Sequence, residues 1–268
     1  MTVPVVFDRA QVRRQRDRAA ATLDDHDFLL VEAAERLAER LLDVKRDFPR
    51  ALDLGCHTGQ FARILAGRGG IETLVACDLS PRMAARAGGL ALAADEEALP
   101  FAPASFDLVA STLSLHWVND LPGVLAQVRR ALRPGGLFLA VMLGGETLGA
   151  LRQSFIEAEL AEEGGAGPRV SPFVDLADAA ALLQRAGFEL PVADRDLVTV
   201  RYGEPLRLLR DLRAMGETNA VAGRRRTPSR RATLLRALAI WRERFATADG
   251  GLPAAFHLIF LTGWRPLE

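Results

Sequence analysis

Residues 53–60, Asp-Leu-Gly-Cys-His-Thr-Gly-Gln, place an acid and two glycines directly after a short apolar run. Gly55 and Gly59 allow a strand to turn sharply into a helix whose backbone lies close to a ligand. The first turn of that helix points free N–H groups at an anion such as a carboxylate. The carboxylate of Asp53 suits a cationic ammonium group. The spacing is not the Gly-x-Gly-x-x-Gly of a dinucleotide site.

Two further acids stand at the ends of the next two predicted strands. Asp78 ends the second strand, where an acid accepts hydrogen bonds from both hydroxyls of a ribose. Asp95 ends the third, where a carboxylate can accept from an adenine amino group. Because an open α/β sheet binds its ligand at the carboxyl ends of its strands, these acids predict a nucleoside site within about residues 50–120.

The elements that position these residues follow from hydrophobic periodicity. Short apolar runs that alternate with helical stretches predict an α/β fold with a mainly parallel, doubly wound sheet. The predicted strands are 51–54, 74–78, 90–94, 106–111, 137–142, 192–200 and 255–262. The predicted helices are 8–46, 60–66, 81–87, 121–132, 146–162, 176–186, 206–215 and 233–245. The last two helices form an insertion before the last strand, and Pro134-Gly135-Gly136 predicts a break before the fifth strand.

This pattern divides the chain into three segments. Residues 1–46 are an N-terminal helical segment, and residues 47–143 are the cofactor-binding α/β core. Residues 144–268 complete the domain and carry a helical lid over the substrate.

Charge and composition limit the partners. The 268 residues include 34 basic and 34 acidic side chains, so the formal net charge is zero. Such a chain has no long-range attraction for nucleic acid, and we predict no nucleic-acid partner. The arginines of 224–231 are interpreted as a solvated loop. Two cysteines are too few for a disulfide framework or a zinc site.

The chain shows no sequence signal for membrane insertion or export. No apolar run reaches the ~18 residues of a bilayer span. The polar N-terminus lacks the apolar stretch of a signal peptide. We therefore predict a cytoplasmic, bacterial protein without a transmembrane segment, whose contact with the inner membrane is transient if it occurs.

The order of these residues resembles that of the S-adenosylmethionine-dependent methyltransferases over residues 48–142, including the motifs at 106–109, 116–117 and 133–136. The resemblance implies a Rossmann-like methyltransferase fold with a seven-stranded sheet and S-adenosyl-L-methionine as cofactor. His57 departs from the pattern, since most members have a glycine there, in a position that often needs an unusual backbone angle. The implied cofactor contacts are Asp53, Gly55, Cys56, Gly59, Asp78, Leu79, Met83, Asp95, Glu96 and Ser111.

A narrower resemblance covers nearly the whole chain. The motifs at 114–122, 144–148, 171–173, 215–219 and 263–264 resemble the complex I assembly factors that hydroxylate an arginine of the iron–sulfur subunit. This implies a protein substrate. A more distant resemblance, to the malonyl carrier-protein O-methyltransferases of biotin synthesis, implies methyl transfer to a small-molecule or carrier-bound carboxylate. A non-enzymatic assembly chaperone is the third alternative.

Few residues are candidates for catalysis. His116 is the best titratable candidate for a base near the reacting atoms, with wall packing as the alternative. Carboxylates and amides hold a guanidinium group best, so Glu146, Glu217 and Asn219, beside Trp117, are the candidate substrate contacts. Helix capping or a solvated turn is the alternative for these residues. The four histidines form no ligand set for iron, and no metal site is predicted.

Overall fold

The computed structural model describes residues 4–268. Its strands are β1 (Arg50–Leu54), β2 (Thr73–Asp78), β3 (Leu90–Ala93), β4 (Phe106–Thr112), β5 (Leu132–Leu143), β6 (Glu189–Tyr202) and β7 (Leu252–Trp264). They form one sheet in the order β3-β2-β1-β4-β5-β7-β6. Strands β1 to β5 are parallel, and β7 runs antiparallel to β5 and β6. The predicted fold class, a mainly parallel seven-stranded sheet, is confirmed.

The helices are α1 (Arg9–Ala19), α2 (Phe28–Asp43), α3 (Gln60–Leu65), α4 (Pro81–Ala87), α5 (Leu121–Ala131), α6 (Gly149–Glu163), α7 (Leu176–Arg185), α8 (Pro205–Ala214) and α9 (Arg231–Phe245). The prediction of one helix over 8–46 is wrong. A short 3₁₀ turn at Leu23–Asp25 separates α1 from α2. Thr22, Asp24 and Asp27 lie in this gap, and such side chains favour turns over helix interiors.

The break predicted at Pro134-Gly135-Gly136 also needs correction, because these residues lie within β5. Leu132 pairs with Phe106, and the regular pairing of β4 with β5 resumes at Leu137. Between them the strand is irregular, and Gly135 has a φ of 70°. The segment therefore distorts the strand without ending it.

Both faces of the sheet are buried, as a parallel sheet requires. Along β5, Leu137, Leu139 and Val141 join the core beneath α2, α6 and α9, whereas Phe138 and Ala140 join the core beneath α5 and α7. The alternation fixes which residues face each layer, because successive side chains of a strand point to opposite sides.

Helix α1 lies at the carboxyl ends of the strands, since Arg16 reaches Asp78 at the end of β2. Asp8 caps it by accepting from the N–H of Gln11. Among the helices of residues 4–268, none has both the length and the apolar character to cross a membrane.

Candidate functional site

The turn after β1 is built as the sequence predicts. Gly55 and Gly59 have φ angles of 73° and 88°. The N–H groups of Gly55 and Cys56 both donate to the carbonyl of Cys77, at 2.8 and 2.9 Å. His57 has a φ of 49°, so the unusual backbone angle expected at this position is confirmed. The turn places the start of α3 beside the end of β2.

Asp53 is fully buried, and neither of its carboxylate oxygens has a hydrogen-bond partner within residues 4–268. Burial, followed by the nearby Asp78 carboxylate, raises the pKa of Asp53 to about 7. A buried acid without a partner is costly unless a ligand supplies one. The ammonium group of S-adenosylmethionine fits this requirement.

Asp78, the expected ribose contact, already has partners of its own. Its Oδ1 atom accepts from the N–H of Ser80 at 2.7 Å. Its Oδ2 atom accepts from the N–H of His57 at 3.1 Å and from Arg16 Nη1 at 3.2 Å. Two backbone bonds fix the carboxylate, and a side chain takes the remaining contact.

Arg16 is a site residue that the sequence reasoning missed. Its side chain is 1% exposed and also contacts Glu96 Oε1 at 3.2 Å and Ser114 Oγ at 2.9 Å. Burial opposes the charge on Arg16, but Asp78 and Glu96 outweigh it and raise its pKa. A signal was present: the buried positions 12, 15, 16 and 19 of α1 follow helical spacing.

The end of β3 differs from the expectation in one respect. The Asp95 carboxylate is 35% exposed and pairs with Arg9 at 2.7 Å. The next residue, Glu96, is fully buried and pairs with both Arg9 and Arg16. Burial opposes its ionisation, but Arg16 and Arg9 outweigh it and lower the pKa of Glu96 to about 2. The inward-facing acid is thus Glu96, and Asp95 lies at the rim.

The other expected cofactor contacts lie around this cleft with structural partners. Ser111 donates from its hydroxyl to the carbonyl of Leu54 at 2.7 Å. Met83 is buried in the main core, and Leu79 packs beside Phe7 and Trp117. Cys56 is buried, and burial raises the pKa of its thiol.

A cavity of about 520 Å³ borders α1, whose Gln11 and Gln15 line it. Its apolar wall includes Trp117, Leu143, Phe155 and Phe173. The loop between α8 and α9 and the segment after α6, with Arg169 and Ser171, supply much of its polar wall. Cavities of this size and composition accommodate small molecules or single side chains.

Glu217 lines this cavity, and two side chains hold its carboxylate in place. Its Oε2 atom accepts from His116 Nε2 at 3.0 Å and from Trp117 Nε1 at 2.9 Å. Its Oε1 atom has no hydrogen-bond partner within residues 4–268. Burial opposes ionisation, but the contact with His116 and the charge of Arg16 outweigh it and lower the pKa of Glu217.

His116 uses both ring nitrogens inside the protein. The N–H of Leu143 donates to Nδ1 at 3.5 Å, so Nε2 carries the proton that is donated to Glu217. The imidazole is therefore placed to orient Glu217, and neither nitrogen is free to accept a proton from a substrate in this arrangement.

The structure separates the remaining predicted substrate contacts. Asn219 lines the cavity, but its side chain donates to the carbonyl of Pro168 and accepts from the N–H of Val221. Glu146 is exposed on the loop before α6 and is not part of the cavity wall. Glu217 and Trp117 are thus brought together, and Glu146 is not.

Several arginines surround the cavity. Arg169, Arg224 and Arg225 form ion pairs with Glu159, Asp8 and Glu163, respectively. Arg213 also lines the cavity and has no ion-pair partner in the part of the chain that the structure describes. Two charged groups of the wall can therefore still bind a ligand: the Oε1 atom of Glu217 and the guanidinium group of Arg213.

Known proteins resemble this chain over most of its length. A family model described as a methyltransferase domain matches residues 52–140. The mitochondrial arginine-hydroxylase NDUFAF5 of Danio rerio is 43% identical, over 97% of this chain and 83% of that protein. The malonyl-acyl carrier protein O-methyltransferase of Xylella fastidiosa (strain M23) is 37% identical, over 97% of this chain and 89% of that protein.

A solved structure shows the same fold. It is phosphoethanolamine N-methyltransferase 2 of Haemonchus contortus in complex with phosphomonomethylethanolamine and S-adenosylhomocysteine. The TM-score is 0.57 at 19% identity, covering 95% of this chain and 60% of that one.

Proposed function

The chain belongs to the methyltransferase-domain family that contains the NDUFAF5 arginine-hydroxylases and the malonyl-acyl carrier protein O-methyltransferases, and we propose that it modifies an arginine side chain of a protein. The reaction we propose is hydroxylation of an arginine on the iron–sulfur subunit during assembly of respiratory complex I, in which one atom of O2 enters a C–H bond of the side chain and an external two-electron donor reduces the other atom to water. The motifs shared with the assembly factors and the high identity to the arginine-hydroxylase support this reaction.

The observation that carries the proposal is the Glu217 carboxylate in an aromatic cavity. A guanidinium group is bound best by a carboxylate, and the pair is stronger where water is excluded. Trp117 and Phe173 offer ring faces on which a guanidinium can stack. His116 and Trp117 hold one oxygen of Glu217, which leaves Oε1 for the substrate.

S-adenosylmethionine, the cofactor of this family, supplies an activated methyl group when it is bound. Asp53 would hold its ammonium group, and the turn between Gly55 and Gly59 would receive its carboxylate at the start of α3. Asp78 and Glu96 are the acids available to the nucleoside. A guanidinium group that fills the cavity displaces water from its aromatic wall, which strengthens each polar contact within it.

A second candidate reaction is methyl transfer to a carboxylate, as the name of the Xylella fastidiosa relative implies for that protein. The unpaired Arg213 favours it, because an arginine binds a carboxylate in two-point fashion. Arginine modification therefore depends on the negative charge of Glu217, whereas methyl transfer to a carboxylate depends on the positive charge of Arg213 in the same cavity.

The test uses purified protein, S-adenosylmethionine, O2, a two-electron reductant and an arginine peptide of the iron–sulfur subunit, with mass spectrometry as the readout. A gain of one oxygen identifies hydroxylation, and a gain of one methylene identifies methyl transfer. Glu217→Gln should lower modification of the peptide by about 10–100-fold, the effect of losing a hydrogen bond to a charged group. Glu146→Gln is the matched control and should leave the rate unchanged.

Three results would contradict the proposal. A wild-type rate in Glu217→Gln would remove the carboxylate from substrate recognition. Modification of a carrier-bound carboxylate that is lost in Arg213→Gln would establish the second candidate. No mass change on either substrate would favour the assembly chaperone. We propose a bacterial origin, which the bacterial relative supports, and we place the reaction in the cytoplasm, with transient contact to the inner membrane.

A further inference from the structure

The nucleoside end of the cleft is filled by side chains of the protein itself. Arg16 lies between Asp78 and Glu96, and Ser114 covers Gly55 so closely that a Cβ atom there would overlap its hydroxyl. We propose that α1 is a gate: Arg16 occupies the nucleoside's place on Asp78 and must leave before the cofactor binds. This inference rests on the proposed function, because it takes S-adenosylmethionine as the ligand.

The ribose of the cofactor and Arg16 compete for the carboxylate of Asp78. Two of the three bonds to its carboxylate come from the backbone of Ser80 and His57, which belong to the turns that build the cleft. Only the bond from Arg16 Nη1 comes from a side chain on a separate helix. A pair of ribose hydroxyls can therefore take that place only by displacing the guanidinium group.

Arg16, Glu96 and Ser114 form one network. Ser114 Oγ donates to Glu96 Oε1 at 2.5 Å and accepts from Arg16 Nη2 at 2.9 Å. Since Arg9 and Arg16 both lie on α1, movement of the helix takes both guanidinium groups away from Glu96 and takes Arg16 away from Asp78 and Ser114. One movement thus releases two acids next to the glycine turn.

The attachments of α1 explain why this movement reaches the substrate cavity. The N–H groups of Val6 and Phe7 donate to Asn119 Oδ1 at 2.8 and 2.7 Å, which anchors the segment before the helix. Within the helix, Gln15 lines the cavity and donates to the carbonyl of Asn219 at 3.2 Å. Helix α1 is therefore a wall shared by both sites, with Arg16 in the cleft and Gln15 in the cavity wall.

The gate does not need to be very stable to control binding. Burying paired charges gains little net free energy, because desolvation offsets much of the attraction. A ligand that binds only the open form has its apparent affinity reduced by the fraction of open protein. Weakening the closed form should therefore tighten cofactor binding.

Calorimetric titration with S-adenosylhomocysteine tests this prediction. The variant Arg16→Gln removes the charge that binds Asp78, whereas Asp78 keeps its two backbone hydrogen bonds and Glu96 keeps its pair with Arg9. The affinity of this variant should exceed that of the wild type by roughly tenfold. Arg13→Gln is the control, since Arg13 is exposed on the same helix and makes no hydrogen bond or ion pair within residues 4–268. It should bind as the wild type does.

Hydrogen–deuterium exchange on the unmodified chain provides a measurement that does not depend on any variant. Saturating S-adenosylhomocysteine should speed amide exchange in 9–19, while exchange in α9 stays unchanged. Weaker binding by Arg16→Gln, slower exchange in 9–19, or no binding to either protein would overturn the gate. Tighter binding without any arginine modification would support the gate and refute the proposed function.

Discussion

The cleft beside Asp78 and the cavity beside Glu217 both border α1, yet their polar groups have different partners. In the cleft, Arg16, Glu96 and Asp78 bind one another and are almost inaccessible to solvent. In the cavity, Glu217 keeps one oxygen without a partner beside about 520 Å³ of open space. A ligand of the cleft therefore competes with the protein, whereas a ligand of the cavity competes with water.

This difference has an energetic consequence. Breaking one partner out of a buried ion pair leaves the other charge without solvent, which is strongly destabilising. A carboxylate at a cavity wall is still hydrated, and its loss affects recognition more than folding. The following substitutions test whether the two regions differ in this way.

The largest expected effect is on folding, from Glu96→Ala in the cleft. The substitution leaves Arg16 and Arg9 without their shared buried partner, and the free energy of unfolding should fall by about 3–5 kcal/mol. Glu32→Ala is the control, because Glu32 forms a half-exposed pair with Arg36 and its loss should cost about 0.3–0.5 kcal/mol. Urea denaturation measures both. Equal losses of unfolding free energy in the two variants would show that the ion pairs of the cleft are exposed to solvent.

The next effect is a pH dependence from Asp53. The unfolded chain ionises this acid near 3.8, and the folded chain near 7. The folded state therefore holds a proton that the unfolded state has lost, so stability falls as the pH rises from about 4 to about 7. Asp53→Asn should remove this slope and stabilise the protein at pH 8 by about 2–4 kcal/mol, since one pKa unit corresponds to about 1.36 kcal/mol.

Thermal unfolding across this pH range measures the slope. Asp194→Asn, at a half-exposed strand position, is the control and should keep the wild-type slope. A slope that survives in Asp53→Asn would assign the pH dependence to other acids. It would also remove the argument that this carboxylate needs a cationic partner.

The smallest effect is expected in the cavity, from Trp117→Phe. The substitution removes the N–H donor to Glu217 and keeps an aromatic ring. The loss of one hydrogen bond to a charged group should weaken arginine-peptide binding by about 1.5–3 kcal/mol, with less than about 1 kcal/mol lost in stability because His116 still holds the carboxylate. Peptide affinity and urea denaturation, measured in parallel, separate the two. A large loss of stability would show that substitutions in the cavity affect folding as strongly as substitutions in the cleft.

The sequence predicted the frame of the cleft well because local rules determine it. The turn at Gly55 and Gly59 and the acids at the ends of β1 and β2 all depend on residues close in the chain. The unusual φ at His57 was instead implied by the family resemblance, since most members have a glycine there. The break between α1 and α2 was missed, although Thr22 and the aspartates after it carry a local signal, because the apolar spacing of the flanking segments suggested a continuous helix.

Contacts between distant segments were beyond these rules. Arg16 meets Asp78, Glu96 and Ser114 across 62, 80 and 98 positions of the chain. A buried arginine on an amphipathic helix looks like any solvated arginine until its partners are known. Glu96, and not Asp95, faces the interior because Glu96 binds Arg16, and this contact also joins distant segments.

By itself, the sequence determined the order of strands and helices, the binding turn and the acids at its edge, because periodicity and backbone preferences act within a few residues. Only the tertiary structure decided how α1 lies across the strand ends, which placed Arg16 in the cleft and Gln15 in the cavity wall. It also brought Glu217 to His116 and Trp117, about a hundred positions away. The physical reason is that a charge is buried only where partners offset its desolvation, and those partners come from separate segments.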